Sequence, residues 1–143
     1  MSSVIRRLDH IGIVVRDTAI ALTQFRDRLG FPVVAVDQPP EVPVLLTYLD
    51  MGNAYLQLVE PLDHESPIAQ WLDEHGEGMH HICFGVDDLV ATLDELRPPG
   101  AGQTAMGSGR GFPAAFVAGE PAHGVRIECT EIHDAARLAN PSK

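Results

Sequence analysis

Only two cysteines, Cys83 and Cys129, occur in the 143 residues, too few for a disulfide framework. Alternation along a strand puts Cys83 on the face of His81 and turns Cys129 away from Glu128, so the two are read as small apolar fillers rather than as a bridge. Lysine occurs once against nine arginines, and the formal net charge is −10. That balance excludes the clustered basic surface that nucleic-acid phosphates require, and it leaves few cations for any polyanionic ligand. No run of about 18 apolar residues is present, so no segment reads as a membrane span. The opening stretch, residues 1–7, lacks the apolar core of a signal peptide, and a cytoplasmic location is expected. The glycine-rich segment 107–111 lacks the Gly-Lys-Ser/Thr ending of a nucleotide P-loop and reads as a flexible loop.

What the sequence has instead is a repeat. Leu8-Asp9-His10-Ile11-Gly12-Ile13-Val14-Val15-Arg16-Asp17 is echoed by Met79-His80-His81-Ile82-Cys83-Phe84-Gly85-Val86-Asp87-Asp88, with His81 71 residues after His10 (81 − 10). The same offset carries Leu56-Gln57-Leu58-Val59-Glu60 onto Ile127-Glu128-Cys129-Thr130-Glu131 (128 − 57). Each copy therefore holds a histidine and, 47 residues later, a second side chain able to donate to a metal (57 − 10 and 128 − 81).

Local patterns give the order strand, helix, three strands, twice over, with one helix inserted between the copies. The apolar run Ile5 to Val15 reads as a strand, and Asp17 as the N-cap of a helix whose face is Leu22, Phe25 and Leu29. Strands follow at Phe31 to Val36, Val44 to Asp50 and Ala54 to Glu60. Ser66-Pro67 starts a helix with Ile68, Trp71 and Leu72 on its apolar side, and Gly76 stops it. The second copy runs from a strand at Met79 to Val86, through a helix capped by Asp88 with Val90, Leu93 and Leu96 buried, to strands at Ala114 to Val117 and Gly124 to Thr130. The chain is thus read as one α+β domain, residues 1–143. Its first module covers about 6–61, a linker helix about 62–77, its second module about 78–131, and a frayed polar tail 132–143.

His10, Gln57, His81 and Glu128 are polar residues flanked by apolar ones inside strands, where burial costs several kcal/mol unless partners satisfy them. One divalent ion would satisfy all four, through two imidazole nitrogens and two oxygens with a single negative charge. Such an N/O set suits a first-row divalent ion, and positions left open to water allow Lewis-acid chemistry. The other conspicuous residues have plainer readings. Alternation places His80 on the sheet face opposite His81, while His64, His75, His123 and His133 fall in loops, helix ends or the tail. Trp71 is core, and Arg110 is either a carboxylate clamp or solvated.

Asp9-His10-Ile11-Gly12 and His80-His81-Ile82 as strand starts, with Gln57 and Glu128 as strand centres, resemble the vicinal oxygen chelate superfamily (glyoxalase, bleomycin resistance, dioxygenase) over roughly residues 6 to 131. Within it, residues 55–61, 65–72 and 76–82 look most like the methylmalonyl-CoA epimerases. The resemblance implies paired βαβββ modules forming an open, cupped mixed sheet around one divalent metal ion (Co, Mn, Ni, Zn or Mg) on His10, Gln57, His81 and Glu128. It also implies an isomerase that epimerises the carbon between a thioester and a carboxylate. Glu128 would be one base, and Glu41, in the loop before the third strand, the other. The expected partners are a small acyl-CoA or related carbonyl acid and a second copy of the chain in a homodimer.

The chain departs from the epimerase pattern at Val42-Pro43, where Gln-Gly is usual, and at Ala118-Gly119, where His-Pro is usual. Two other functions share the superfamily. A metal-free antibiotic-sequestering protein generally lacks the full ligand set, which this chain keeps, and dioxygenases usually hold iron with two His and one Glu, which counts Gln57 against them. A glyoxalase-type isomerase would share the metal and differ in substrate.

Overall fold

The computed structural model describes residues 5–132, in which the chain runs twice through strand, helix and three strands. The first pass is β1 (Ile5–Val14), α1 (Thr18–Leu22), β2 (Val33–Asp37), β3 (Val44–Asp50) and β4 (Tyr55–Pro61). After the linking helix α2 (Pro67–His75) come β5 (Gly78–Val86), α3 (Leu89–Leu96), β6 (Gly107–Gly109), β7 (Phe112–Phe116) and β8 (Ile127–Glu131). All eight strands join one mixed sheet in the order β2-β3-β4-β1-β5-β8-β7-β6. In each half the first strand lies parallel to the last, β1 on β4 and β5 on β8, and the halves meet where β1 runs antiparallel to β5.

The repeat extends to the devices that start the helices. Asp17 Oδ1 accepts from Ile20 N at 3.2 Å and Asp88 Oδ1 from Ala91 N at 3.0 Å. Glu60 accepts from Thr18 N at 2.8 Å and from the Thr18 hydroxyl at 2.6 Å, while Glu131, its counterpart, accepts from Leu89 N at 3.0 Å. Carboxylates at these ends satisfy backbone donors that have no partner inside the helix and complement its dipole. Each helix is thereby tied to the last strand of its own half. Ser66 caps α2 as its sequence predicts, accepting from Ala69 N at 3.2 Å, and Gly76 ends that helix at φ 80°.

Several expected faces are shifted. Leu22 and Phe25 pack on Val15, Leu49, Leu56 and Leu58, but Leu29 is exposed, because Thr23–Arg28 winds as a π-helix. Leu29 N bonds to Gln24 O, five residues back, and the wider turn carries Leu29 past the core. In α3, Val90 and Leu96 are exposed, and the buried residues are Leu89 and Thr92, with Leu93 packed beside them. Thr92 tolerates burial because its hydroxyl donates to Asp88 O at 2.7 Å, and the Glu131 contact to Leu89 N pins the preceding turn to the sheet.

The glycine-rich stretch is not a flexible loop. Gly107–Gly109 is β6, paired to β7 across a two-residue turn in which Arg110 (φ 53°) and Gly111 (φ 80°) are both left-handed. A type I′ hairpin turn asks for that pair of conformations, and glycine meets one of them without strain. The last strand begins at Ile127 rather than Gly124, since Ala122 to Val125 form a turn closed by Val125 N to Ala122 O at 3.0 Å. Ile132, read as the start of a frayed tail, is buried and donates its N–H to Val86 O at 2.9 Å. Residues 133–143, with the rest of that tail and His133, lie outside the described residues. Among the described residues no helix is long and apolar enough to cross a membrane.

Candidate active site

The four central strands, β4, β1, β5 and β8, carry Gln57, His10, His81 and Glu128 respectively. Register places them together: Gly12 lies opposite both Gln57 and His81, and Cys83 opposite both His10 and Glu128. His10 Nε2, His81 Nε2 and Glu128 Oε1 form a triangle with every side 3.2 Å. Donor atoms about 2.0–2.2 Å from a shared tetrahedral or octahedral ion stand roughly 2.9–3.5 Å apart, so the triangle has the dimensions of three ligand corners. Gln57 spends its amide N–H on the Tyr48 hydroxyl at 2.9 Å and leaves Oε1 buried without a partner.

The protonation pattern points the same way. His10 Nδ1 faces Asp9 Oδ2 at 2.8 Å and, against a carboxylate, must carry the hydrogen, so neutral His10 offers a lone pair at Nε2. His81 Nδ1 is held by His80 Nδ1 at 2.8 Å. Two ring nitrogens and a carboxylate oxygen thus converge where only a proton or a cation stabilises them. Burial opposes charge on Glu128, yet the flanking His10 and His81 hold it well below the usual carboxylate range. Burial likewise works against the His10 imidazolium, but Asp9 and Glu128 outweigh it and raise the pKa. Cys83, whose thiol burial pushes well up, lies within reach of Asp9 and His10 in a second group of possible donors. The residues therefore fit a divalent ion bound through nitrogen and oxygen. Cys129 sits apart, in the core with Val86 and Leu89.

Two of the three register shifts between β1 and β5 fall at the site and break strand alternation there, for one reason. Leu8 pairs with Phe84 and His10 with Cys83, which leaves Asp9 as an extra residue on β1. Gly12 pairs with His81 and Ile13 with Met79, which leaves His80 as an extra residue on β5. These β-bulges, 71 residues apart (80 − 9), set each extra residue beside the histidine that follows it. His80 is consequently in the cavity wall, not on the opposite face, with its pKa lowered to about 3, chiefly by burial and then by His81 and Arg126. It also packs edge-on against Trp71, whose ring stacks on His75.

Arg110 is not solvated. Its Nη2 donates to Asp9 Oδ2 at 2.6 Å, and its guanidinium lies over Tyr48 (4.9 Å to the ring centre) and Tyr55 (4.4 Å). The left-handed turn at Arg110 also lets its backbone N–H donate to Asp37 Oδ2 at 3.1 Å. Asp9 and Tyr48 were not singled out by the sequence. Asp9 could have been, since it stands one place before a repeated histidine. Tyr48 lies opposite Gln57 and its counterpart opposite Glu128 is Phe116, which the 71-residue offset misses by three positions and which has no hydroxyl.

Glu41 is exposed on the loop between β2 and β3, where it accepts from the Ser108 hydroxyl of β6 at 2.9 Å. With the Arg110 to Asp37 bond, this contact links the two outer strands of the sheet across the mouth of the cup. The cavity, open to solvent at its mouth, measures about 750 Å³, and His10, Gln57, His81, Glu128, Glu41 and Arg126 all line it.

A mixed sheet folded twice from one pattern, with a two-His, Gln, Glu cluster in its cup, defines the class. The chain belongs to the glyoxalase/bleomycin resistance protein/dioxygenase superfamily, which residues 9–118 match. Among its relatives, the ethylmalonyl-CoA/methylmalonyl-CoA epimerase of Cereibacter sphaeroides is 33% identical over 90% of this chain and 99% of its own length. The crystal structure of methylmalonyl-CoA epimerase from Mycobacterium tuberculosis superposes with a TM-score of 0.81 at 30% identity, over 95% of this chain and 94% of that one. A variant of the Streptomyces coelicolor methylmalonyl-CoA epimerase, in complex with 2-nitronate-propionyl-CoA, gives 0.78 at 31%, over 96% and 100%. The chain is an enzyme, an isomerase of the epimerase kind.

Proposed function

We propose that this epimerase inverts the carbon between a thioester and a carboxylate in an acyl-CoA of the methylmalonyl-CoA type, using a divalent ion held by His10, Gln57, His81 and Glu128. The observation that carries the reading is the 3.2 Å triangle of donor atoms, opening with the unspent Gln57 oxygen into the cavity that Glu41 also lines. A relative named for ethylmalonyl-CoA and methylmalonyl-CoA, matched over 99% of its own length, supports the substrate class. A bound divalent ion would act there as a Lewis acid, favouring loss of the α-proton.

The residues of the chain divide the rest of the work. Glu128, kept ionised by His10 and His81, takes or returns the proton on one face. Glu41 does so on the other. Its loop is pinned beside it, since Pro43 O accepts from Leu62 N at 2.8 Å and Val42 O from Val44 N at 3.0 Å, so the proline departure leaves Glu41 on a braced segment. Asp9 and His80 orient the two imidazoles. The reading extends to one folding unit built from the modules at about 6–61 and 78–131, working as a cytoplasmic homodimer. Sedimentation of the purified chain tests the dimer.

Metal content is the first test. One equivalent of divalent ion is expected in protein purified without chelator, and less than a tenth of that in His81→Ala; equal metal in both would remove the site. The base assignment is tested in deuterium oxide with methylmalonyl-CoA. Glu41→Gln is expected to keep α-proton exchange on one enantiomer while inversion falls by roughly a hundredfold or more, the usual weight of a positioned acid or base. Inversion at the wild-type rate would return Glu41 to solvent.

A further inference from the structure

Two cations line the cavity, and only one of them is neutralised. Arg110 is paired with Asp9 at 2.6 Å. Arg126, half-buried between the last turn and β8, has no carboxylate within 4 Å among the described residues, and its Nε is buried without a hydrogen-bond partner. Its backbone is fixed, since Arg126 O accepts from Ile82 N at 3.1 Å, one residue beyond His81. It precedes Glu128 by two residues, so an extended chain presents both side chains to the same interior.

A buried arginine Nε without an acceptor is costly to keep, and the planar fork of arginine matches a carboxylate through two parallel hydrogen bonds. We infer that Arg126 is the counter-charge for the free carboxylate of the substrate, and so the residue that selects carboxylated acyl thioesters over plain ones. This rests on the acyl-CoA reading above and adds to it a specificity determinant. Arg110 cannot serve as well, because its charge is already spent on Asp9 beneath the two tyrosines. A phosphate of the carrier is the poorer match, because the Arg126 backbone is bonded to the residue after His81 and stands two residues before Glu128, beside the cluster that the reacting end of the substrate must meet.

The test is calorimetric binding of methylmalonyl-CoA and of propionyl-CoA, which lacks the carboxylate, to wild type, Arg126→Met and Arg126→Lys. Arg126→Met is expected to lose about ten- to a hundredfold in affinity for methylmalonyl-CoA, the weight of a charge-assisted pair, and less than twofold for propionyl-CoA. Arg126→Lys should recover part of the loss. Equal loss for both ligands, or loss for neither, overturns the assignment. Thermal melts of the variants show whether the fold is intact. If wild type binds no acyl-CoA, the substrate reading fails separately, and free malonate becomes the probe. Malonate binding that Arg126→Met weakens still upholds the carboxylate site, whereas unchanged binding, or none to wild type, overturns it.

Discussion

Gly12→Ala is expected to remove the metal and with it at least two orders of magnitude of turnover, the largest effect of any single methyl group in the chain. A Cβ at Gly12 would stand 2.5 Å from His81 Nε2 and 2.6 Å from Nδ1, inside the imidazole itself. The ring can yield only toward the cavity it lines. Its edges meet His10 (centroids 5.3 Å apart), His80 (5.1 Å) and Phe116 (5.2 Å). Overpacking of a built core typically costs about 1–3 kcal/mol in stability, so the variant should still fold while His81 is pushed off its corner of the triangle. Gly102→Ala, where an added methyl meets nothing within 4 Å, is the matched control. Metal content and α-proton exchange measured on both variants decide the point. A fully loaded, active Gly12→Ala would show that His81 is not needed where it stands.

Asp9→Ala, behind the wall of the site, should be strongly destabilising. Asp9 has no solvent exposure and accepts from both His10 Nδ1 and Arg110 Nη2, so its removal strands a buried guanidinium. Breaking one side of such a pair costs about 3–5 kcal/mol, a large part of the roughly 5–15 kcal/mol that holds a domain together. Metal affinity should fall about 10- to 100-fold as His10 loses the partner that fixes its tautomer. Arg110→Met in the same chain removes the stranded charge and is expected to restore much of the stability but not the metal affinity. Denaturant melts and metal titration of the single and double variants separate the two effects. Equal stability of Asp9→Ala and the double variant would mean that Arg110 finds other partners.

How far the site could be read from the sequence follows from what a repeat can carry. His10, Gln57, His81 and Glu128 lie in regular strand at one spacing in both copies, and the fold brings all four to neighbouring positions in the centre of the sheet. Asp9 and His80 obey the same spacing, but a two-residue alternation assigns them to the wrong face, because an inserted bulge residue changes parity without changing composition. Arg110 depends on a left-handed backbone at a residue that is not glycine, which no pattern of side chains announces. The helices show the same limit at lower stakes. Leu29 and Val90 fit an ideal apolar face, and a π-turn in one case and the anchoring of Leu89 in the other decided which face was used.

The seam between the halves has a further meaning. β1 and β5 are the only strands of the described sheet that pair backbone to backbone across the two halves, and the two histidines of the triangle sit on those strands, one on each side of the join. An ion held there would act as a rivet, and whatever pries the duplicated halves apart would also open the site. Amide exchange along β1 and β5 should then slow more than anywhere else when metal is added, so that the strength of the waist and the occupancy of the centre become a single quantity.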